Sequence, residues 1–221
     1  MAKGSLDLSA RGRNFAKQIQ DLLNKTVCDT AKVRSTDIPE RQQVIVGTRL
    51  GDELPLIAAP VGIGLNRRKK PRVWLTVQYT CFLDNADYLT VYTSVFAVSA
   101  SADDESMMLC HYDYEREKDG YPAAHLQVAG TSPGFAAVAD LCDRKPSDLK
   151  KLHFPVGGRR FRPCLEDVIE FMVGEGLAAG RRGWKAVVEA KREEFLENQL
   201  RAAVRRYPEV AIKVLKKHPP S

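Results

Sequence analysis

The sequence has no long apolar run. Stretches such as Leu56–Ile63 fall far short of the roughly 20 residues that a helix needs to cross a bilayer, and Pro60 interrupts this one. The opening residues, MAKGSLD, lack the apolar core and the small-residue cleavage site of a secretory signal. We therefore expect no membrane span and no export by that route, and we predict a cytoplasmic location.

Cysteine is scarce and scattered. The chain has five cysteines, an odd number, and none of them belongs to a Cys-x-x-Cys pair. They are Cys28, Cys81, Cys110, Cys142 and Cys164. This pattern argues against a disulfide framework and against a cysteine zinc site, and it favours a reducing compartment.

The excess of basic over acidic residues is small as well. The chain has 34 basic and 28 acidic residues, a formal net charge of +6 and a pI near 9.1. A basic excess favours binding to polyanions, but this one is modest, so we expect most charges to form a solvated surface. The sequence shows no internal repeat, low-complexity tract or long linker, and we expect one compact domain over residues 1–221.

Apolar spacing predicts the fold class. Apolar residues from Phe15 to Leu23 recur at helical spacing and predict an amphipathic helix near the N-terminus. Segments rich in β-branched and aromatic residues predict strands at 43–48, 54–59, 73–80 and 88–99 and a hairpin over 107–130. Later patterns predict helices at 135–143 and 163–173 and a long helical extension over 181–218, broken near Pro208. The prediction is an α+β protein with a mostly antiparallel sheet of about five to six strands, packed against helices from both ends of the chain.

The predicted hairpin over 107–130 concentrates polar side chains. Because side chains alternate along a strand, His111 and Asp113 share one face of its first strand. If residues 117–120 form the turn and the apolar faces coincide, one register sets Asp113 opposite His125 and His111 opposite Gln127. Two imidazoles and a carboxylate would then occupy one surface.

Three interpretations of this group stay open. A carboxylate fixes the tautomer of an adjacent imidazole, and a second imidazole can serve as the opposite proton-transfer partner, so His111, Asp113 and His125 suit general acid/base catalysis. The spacing of His111 and Asp113 also occurs in metal sites built from two histidines and one carboxylate. The third interpretation is the solvated face of a half-exposed antiparallel sheet. We select the acid/base set and predict no metal site and no cofactor.

An arginine-rich turn, HFPVGGRRFRP, occupies residues 153–163. Glycines permit close backbone approach, a helix start offers unpaired N–H groups, and arginine forks match phosphate oxygens. The candidate phosphate ligands are His153, Gly157, Gly158, Arg159, Arg160 and Arg162. The turn lacks the Lys-Ser/Thr pair of a P-loop and the full G-x-G-x-x-G spacing. The alternative is that Glu166 and Asp167 pair with the arginines internally.

Residues 152–167, LHFPVGGRRFRPCLED, and the strand entry Pro122–His125 resemble a set of uncharacterised bacterial proteins that share an HFPxGGxRFRPxLED-like segment. The resemblance covers about the second half of the chain. It implies a bacterial or phage origin, and it transfers no activity, substrate or catalytic residue.

The leading hypothesis is a nucleic-acid-associated protein, with a small phosphodiesterase as its enzymatic form, in which the arginine-rich turn holds phosphates near the hairpin histidines. The alternative is a non-catalytic protein of an inhibitor, antitoxin-like or accessory kind that binds another protein through its sheet face or C-terminal helix. The sequence leaves open whether the chain is an enzyme. Its predicted partners are nucleic acid or protein, and not a membrane.

Overall fold

The structure is a computed structural model, and it describes residues 3–51, 56–64, 70–84, 88–134, 136–137 and 149–217. Within these ranges, an N-terminal helix, one antiparallel sheet and a group of C-terminal helices confirm the predicted α+β class. The sheet has eight strands, more than the about five to six that the pattern predicts. No helix in the described ranges is long and apolar enough to cross a membrane.

The helices are α1 (Lys3–Thr26), α2 (Gly158–Phe161), α3 (Leu165–Gly174), α4 (Trp184–Arg206) and α5 (Pro208–Lys217). The strands are β1 (Val33–Ile38), β2 (Gln43–Thr48), β3 (Val61–Ile63), β4 (Val73–Leu83), β5 (Leu89–Ser99), β6 (Met108–Glu115), β7 (Ala124–Val128) and β8 (Phe154–Pro155). Short 3-10 turns lie at Pro39–Arg41, Glu105–Met107 and Leu149–Lys151.

The strand order is β1-β2-β4-β5-β6-β7-β8, and β3 also pairs with β4. All pairs between these strands are antiparallel. β4 and β5 form an 11-residue pair of strands, as their β-branched and aromatic content predicts. The strands that the sequence does not reveal are polar, like β1, or only three residues long, like β3. Segments of this kind give no alternation signal.

One predicted strand is wrong in its described part. Residues 56–59, within the strand predicted at 54–59, form no strand, and β3 follows them instead. The N–H of Ala58 donates to the Gln78 side chain at 2.7 Å, and the N–H of Ala59 donates to the Thr48 carbonyl oxygen at 2.9 Å. These bonds dock the segment over the sheet, so its apolar residues cover a surface and do not extend a ladder.

One face of the sheet, called the helix face, packs against α1, α3 and α4. Its core contains side chains less than 2% exposed from both layers, among them Leu23, Leu75, Val77, Leu165, Ile169 and Met172. On the opposite face, called the open face, a small apolar cluster forms at Ile45, Leu50, Leu56 and Ala58. Along β5, β6 and β7 the open face bears half-buried side chains, so one surface of the sheet is left accessible.

The C-terminal helices begin and end close to the predicted positions. α3 lies within two residues of the helix predicted at 163–173, and a four-residue helix, α2, precedes it. α4 ends at Arg206 and α5 begins at Pro208, where the break is predicted, because proline fits the first helical position and cannot continue a helix. The helix predicted at 135–143 falls almost wholly outside the described residues and stays a prediction.

Candidate active site

The hairpin of β6 and β7 has the register that the alternation predicts. Asp113 pairs with His125 and His111 pairs with Gln127. His111, Asp113 and His125 therefore share the open face. The connection between the strands runs over residues 116–123 and contains the predicted turn at 117–120.

Asp113 stands between the two imidazoles. Its Oδ2 lies 2.9 Å from His111 Nδ1 and 3.6 Å from His125 Nε2. A proton on His111 Nδ1 would face the carboxylate at the shorter distance, and the neutral ring would then present its lone pair at Nε2. The His111 side chain is 22% exposed, whereas that of His125 is 4% exposed, so His111 is the more accessible of the two rings.

His125 is the buried member of the group. Its side chain is 4% exposed, and its Nδ1 lies 2.9 Å from the carbonyl oxygen of Pro122. Because that oxygen only accepts, Nδ1 is the donor, and a second proton on Nε2 would face the Asp113 carboxylate. His125 would hold Asp113 through Nε2 only in its doubly protonated form, and its burial leaves it little access to a substrate.

His153 and Tyr121 extend the cluster. β8 pairs with β7 and places His153, the residue before it, against His125, with 4.6 Å between ring centroids. Tyr121 stacks on His153 at 4.2 Å and meets His125 edge to face at 4.9 Å. A continuous row of side chains results, from His111 through Asp113 and His125 to His153. We call it the histidine row.

A cation lies at the Tyr121 end of the histidine row. Lys118 Nζ is 4.7 Å from the centroid of the Tyr121 ring and 3.1 Å from Glu115 Oε2. Hydrogen bonds with Tyr121 and Glu115 raise the pKa of Lys118, so its ammonium charge is retained at neutral pH.

Asp113 also bears an unsatisfied atom. Its Oδ1 is buried and has no hydrogen-bond partner among the described residues. A buried carboxylate oxygen normally has a donor, and leaving one without a partner strengthens the dependence of the carboxylate on the two imidazoles at Oδ2. Across the described ranges, no group of three or more His, Cys, Asp or Glu side chains is arranged to hold a metal ion, so the metal interpretation finds no ligand set there.

The structure divides the residues of the arginine-rich turn between the two faces. His153 joins the histidine row, whereas the Arg162 guanidinium lies 4.0 Å above the Tyr114 ring and 5.7 Å from the Phe195 ring centroid. Tyr114 follows Asp113 on β6, so Arg162 is on the helix face. The expectation that Arg162 approaches the hairpin histidines is therefore wrong. The chain passes round the β8 edge between these residues, and the side chains of Arg159 and Arg160 lie outside the described part.

The glycines of the turn have different surroundings. Gly157 has φ +58°, and a Cβ there would lie 1.8 Å from the Phe161 carbonyl oxygen. Its lack of a side chain therefore allows the chain to fold back on itself. Gly158, with φ +62°, faces open space, so its backbone is the approachable one.

The start of α3 is occupied by the protein itself. Asp167 Oδ2 accepts a hydrogen bond from the Cys164 N–H at 2.8 Å, and Asp167 Oδ1 accepts from Arg192 Nε at 2.8 Å. The described partner of Asp167 is thus an arginine of α4 and not one of the turn, so this pairing does not bear out the alternative. The α3 N-terminus is not the anion site that the turn suggested.

The cysteines of the described chain are packing residues. Burial raises the pKa of the Cys28 and Cys81 thiols to about 12 and raises that of Cys110 as well. Burial and the nearby Glu166 carboxylate raise the pKa of Cys164 further. Since a thiolate is the reactive form, these residues are poor nucleophiles.

Sequence reasoning missed Tyr121 and Lys118. The only available signal was an aromatic directly after the Gly120 turn and before Pro122. The role of Tyr121 depends on β8, a two-residue strand that begins 33 positions later and brings His153 across β7. Comparisons add no relative: the chain matches no protein-family model, and no curated protein or solved structure is significantly similar to it.

Proposed function

We propose that the protein is a nucleic-acid-associated phosphodiesterase whose reaction takes place at the histidine row. The observation that supports it most directly is the shared oxygen: His111 Nδ1 and His125 Nε2 approach the same Asp113 Oδ2, at 2.9 and 3.6 Å. A carboxylate close to a partly exposed imidazole can fix its tautomer, and this arrangement suits general-base catalysis.

Each residue of the row has a distinct task in this proposal. His111 Nε2 takes the proton of a water or ribose hydroxyl while that oxygen forms a bond to phosphorus. The bond from phosphorus to the leaving oxygen breaks, and half-buried His153 gives that oxygen a proton. Asp113 orients His111, and His125 acts as a positioning residue that holds Asp113.

Phosphate binding is the part of the proposal that differs most from the sequence hypothesis. Lys118 supplies a positive charge beside Tyr121, and its raised pKa, caused by Tyr121 and Glu115, keeps that charge. Arg159 and Arg160 belong to α2, which follows β8 directly, and we keep them as phosphate ligands. Arg162 is removed from this role.

Two assays test this proposal. The first measures binding of labelled single-stranded and duplex DNA and RNA across a salt series. Affinity should fall steeply as salt rises, because neutralising phosphates releases counterions. The Arg159→Ala/Arg160→Ala double variant should flatten that slope, whereas Arg182→Ala, a change of one exposed arginine elsewhere, should change it little.

The second assay follows cleavage of the oligonucleotide that binds best. His111→Ala and His153→Ala should each lower the rate about 10²-fold or more, the usual contribution of a general acid or base. Leu109→Ala is the matched control, since Leu109 is 42% exposed two residues before His111. Unchanged cleavage in both histidine variants would remove the catalytic part of the proposal.

A second candidate function, protein association, is favoured by the surface of α4. Leu196, Leu200 and Val204 recur every four residues and are 42%, 56% and 52% exposed. Tyr207 continues the line at 54% exposure. A contiguous apolar stripe of this kind marks an interaction site more often than an isolated exposed leucine does.

The charges on α4 indicate which partner fits this stripe. Acidic residues Glu193, Glu194 and Glu197 precede its centre, and basic residues Arg201, Arg205 and Arg206 follow it. Two copies of α4 packed antiparallel would set the acidic stretch at 193–197 of each copy against the basic stretch at 201–206 of the other while burying both stripes, as a two-fold interface requires. We therefore propose a second copy of this chain as the occupant.

Sedimentation velocity over a concentration series tests the pairing. The protein should dimerise, and Leu200→Glu should leave a monomer because a carboxylate would be buried at the centre. Ala190→Glu, on an exposed position of the same helix away from the stripe, should leave the dimer intact. A monomer at every concentration tested would contradict the proposal.

A further inference from the structure

A cleft of about 880 Å³ opens on the helix face, between α1, the strands β4, β5 and β6, and α4. Its volume lies in the upper part of the range of small-molecule sites. Among its lining residues, Tyr79, Ser94, Phe96, Tyr114 and Arg162 are 3% to 9% exposed. The cleft thus has a deep floor and is separate from the histidine row, which lies on the open face.

The lining is strongly cationic. Seven of the lining side chains in the described chain are arginine or lysine, and three are aspartate or glutamate. One of the acids, Glu166, is 9% exposed, and burial raises its pKa. A shift in that direction favours the neutral acid and weakens its repulsion of an anion. The charge balance therefore selects for a negatively charged ligand.

Two polar groups at the floor are placed to receive an anionic group. The Arg162 guanidinium lies over the Tyr114 ring at 4.0 Å. Tyr114 is 3% exposed, and its hydroxyl is buried without a hydrogen-bond partner among the described residues. A buried phenol hydroxyl usually has a partner, and an oxygen of a bound ligand would supply one.

The walls of the cleft suit a planar ring. Phe15, Tyr79 and Phe96 line the cleft and pack edge to face, with centroid distances of 4.9 and 5.4 Å. The Arg205 guanidinium also lines the cleft and lies 4.0 Å from the Tyr88 ring centroid. Aromatic and guanidinium planes are surfaces on which a flat ring can pack.

We propose that this cleft binds a nucleoside 5′-monophosphate or an anion of the same build, with a flat ring on the aromatic wall and a phosphate facing Arg162 and the Tyr114 hydroxyl. The site is additional to the proposed phosphodiesterase site. β6 separates the two, since Asp113 faces one and Tyr114 the other.

Isothermal titration calorimetry tests the proposal with AMP, and with adenosine and inorganic phosphate as its two halves. AMP should bind at least about tenfold more tightly than either half, because ring and phosphate contribute together. Tyr114→Phe should weaken AMP binding about tenfold through loss of one hydrogen bond to a charged group. Arg162→Gln should weaken it further, and Arg182→Gln, outside the cleft, should leave it unchanged.

The histidine variant distinguishes the two sites. His111→Ala should leave AMP binding intact, whatever its effect on cleavage. Tyr114→Phe keeps the proposal open to refutation even if Arg162→Gln does not fold. Two results would overturn it: no saturable AMP binding at millimolar concentration, or binding that His111→Ala abolishes and Tyr114→Phe does not change.

Discussion

Asp113 and Tyr114 are neighbours on β6, and their side chains lie on opposite faces of the sheet. On the open face, Asp113 Oδ2 lies 2.9 Å from His111 Nδ1. On the helix face, the Arg162 guanidinium lies 4.0 Å from the centroid of the Tyr114 ring. The histidine row and the cleft of the helix face are therefore only one peptide apart. Substitutions at these two residues should affect one site each.

The two hairpin histidines should differ in their effect on stability. His125→Ala should cost about 2 kcal/mol of unfolding free energy, because the ring is 3% exposed and packs against both Tyr121 and His153. His111→Ala should cost less than about 1 kcal/mol, since the ring is partly solvated. Urea unfolding followed by circular dichroism measures both, and equal losses would contradict the buried role of His125.

Gly157 and Gly158 form a matched pair for a backbone test. Gly158→Ala should cost about 1 kcal/mol, the usual penalty of a left-handed conformation with free space around the side chain. Gly157→Ala should cost more than about 2 kcal/mol, because its Cβ would meet the Phe161 carbonyl oxygen at 1.8 Å. Thermal unfolding of the two variants gives the comparison. Similar melting temperatures would show that the chain does not fold back at Gly157 as described.

Arg192 ties α4 to α3 by binding both Asp167 and Glu170. Arg192→Gln should cost about 1 kcal/mol, since its side chain is 23% exposed and makes charge-assisted bonds to two partners. Arg201→Gln is the control: its single i,i+4 partner, Glu197, and its 63% exposure predict a loss below about 0.5 kcal/mol. The difference in unfolding free energy between the two variants should shrink as the salt concentration increases. A difference that salt does not affect would show that Arg192 stabilises the protein by packing and not by its charge.

Glu166 should make the protein less stable as pH rises. Burial raises the pKa of its carboxyl above the ordinary 4.5, so the folded state holds a proton that the unfolded chain has lost. Its contribution is favourable below the unfolded value and falls as pH rises through the folded value. Glu166→Gln should therefore stabilise the protein relative to wild type at pH 7, with the advantage vanishing near pH 4. Chemical unfolding at both pH values measures it, and a destabilised variant at pH 7 would contradict the direction.

The part of the site that could be predicted is the part that local geometry determines. Alternation along β6 and a turn of known position were sufficient to set Asp113 opposite His125, because a slip of one residue would have put the apolar side chains of both strands in water. The N-terminal helix and the break at Pro208 followed from spacing and from proline chemistry in the same way.

The position of Arg162 could not be predicted because it depends on contacts between distant parts of the chain. The turn lies after a two-residue edge strand, and no local pattern states on which face the chain continues once it rounds that edge. Arg162 meets Tyr114, which is 48 positions earlier, and Phe195, which is 33 positions later. An arginine-rich turn before a helix has the same sequence whether its guanidinium faces solvent or lies against aromatic rings.

The buried thiols provide a way to observe how the molecule opens. Cys81 is 0% exposed near the C-terminal end of β4, and Cys28 is 1% exposed after the end of α1. A thiol reagent reaches each one only during excursions that uncover it, so single-cysteine variants report those excursions separately. The labelling rate at Cys81 measures how often the central strands separate. The labelling rate at Cys28 measures how often the end of α1 detaches from the sheet. The native cysteines thus report local opening of the sheet and of the helical layer separately, without an engineered labelling site.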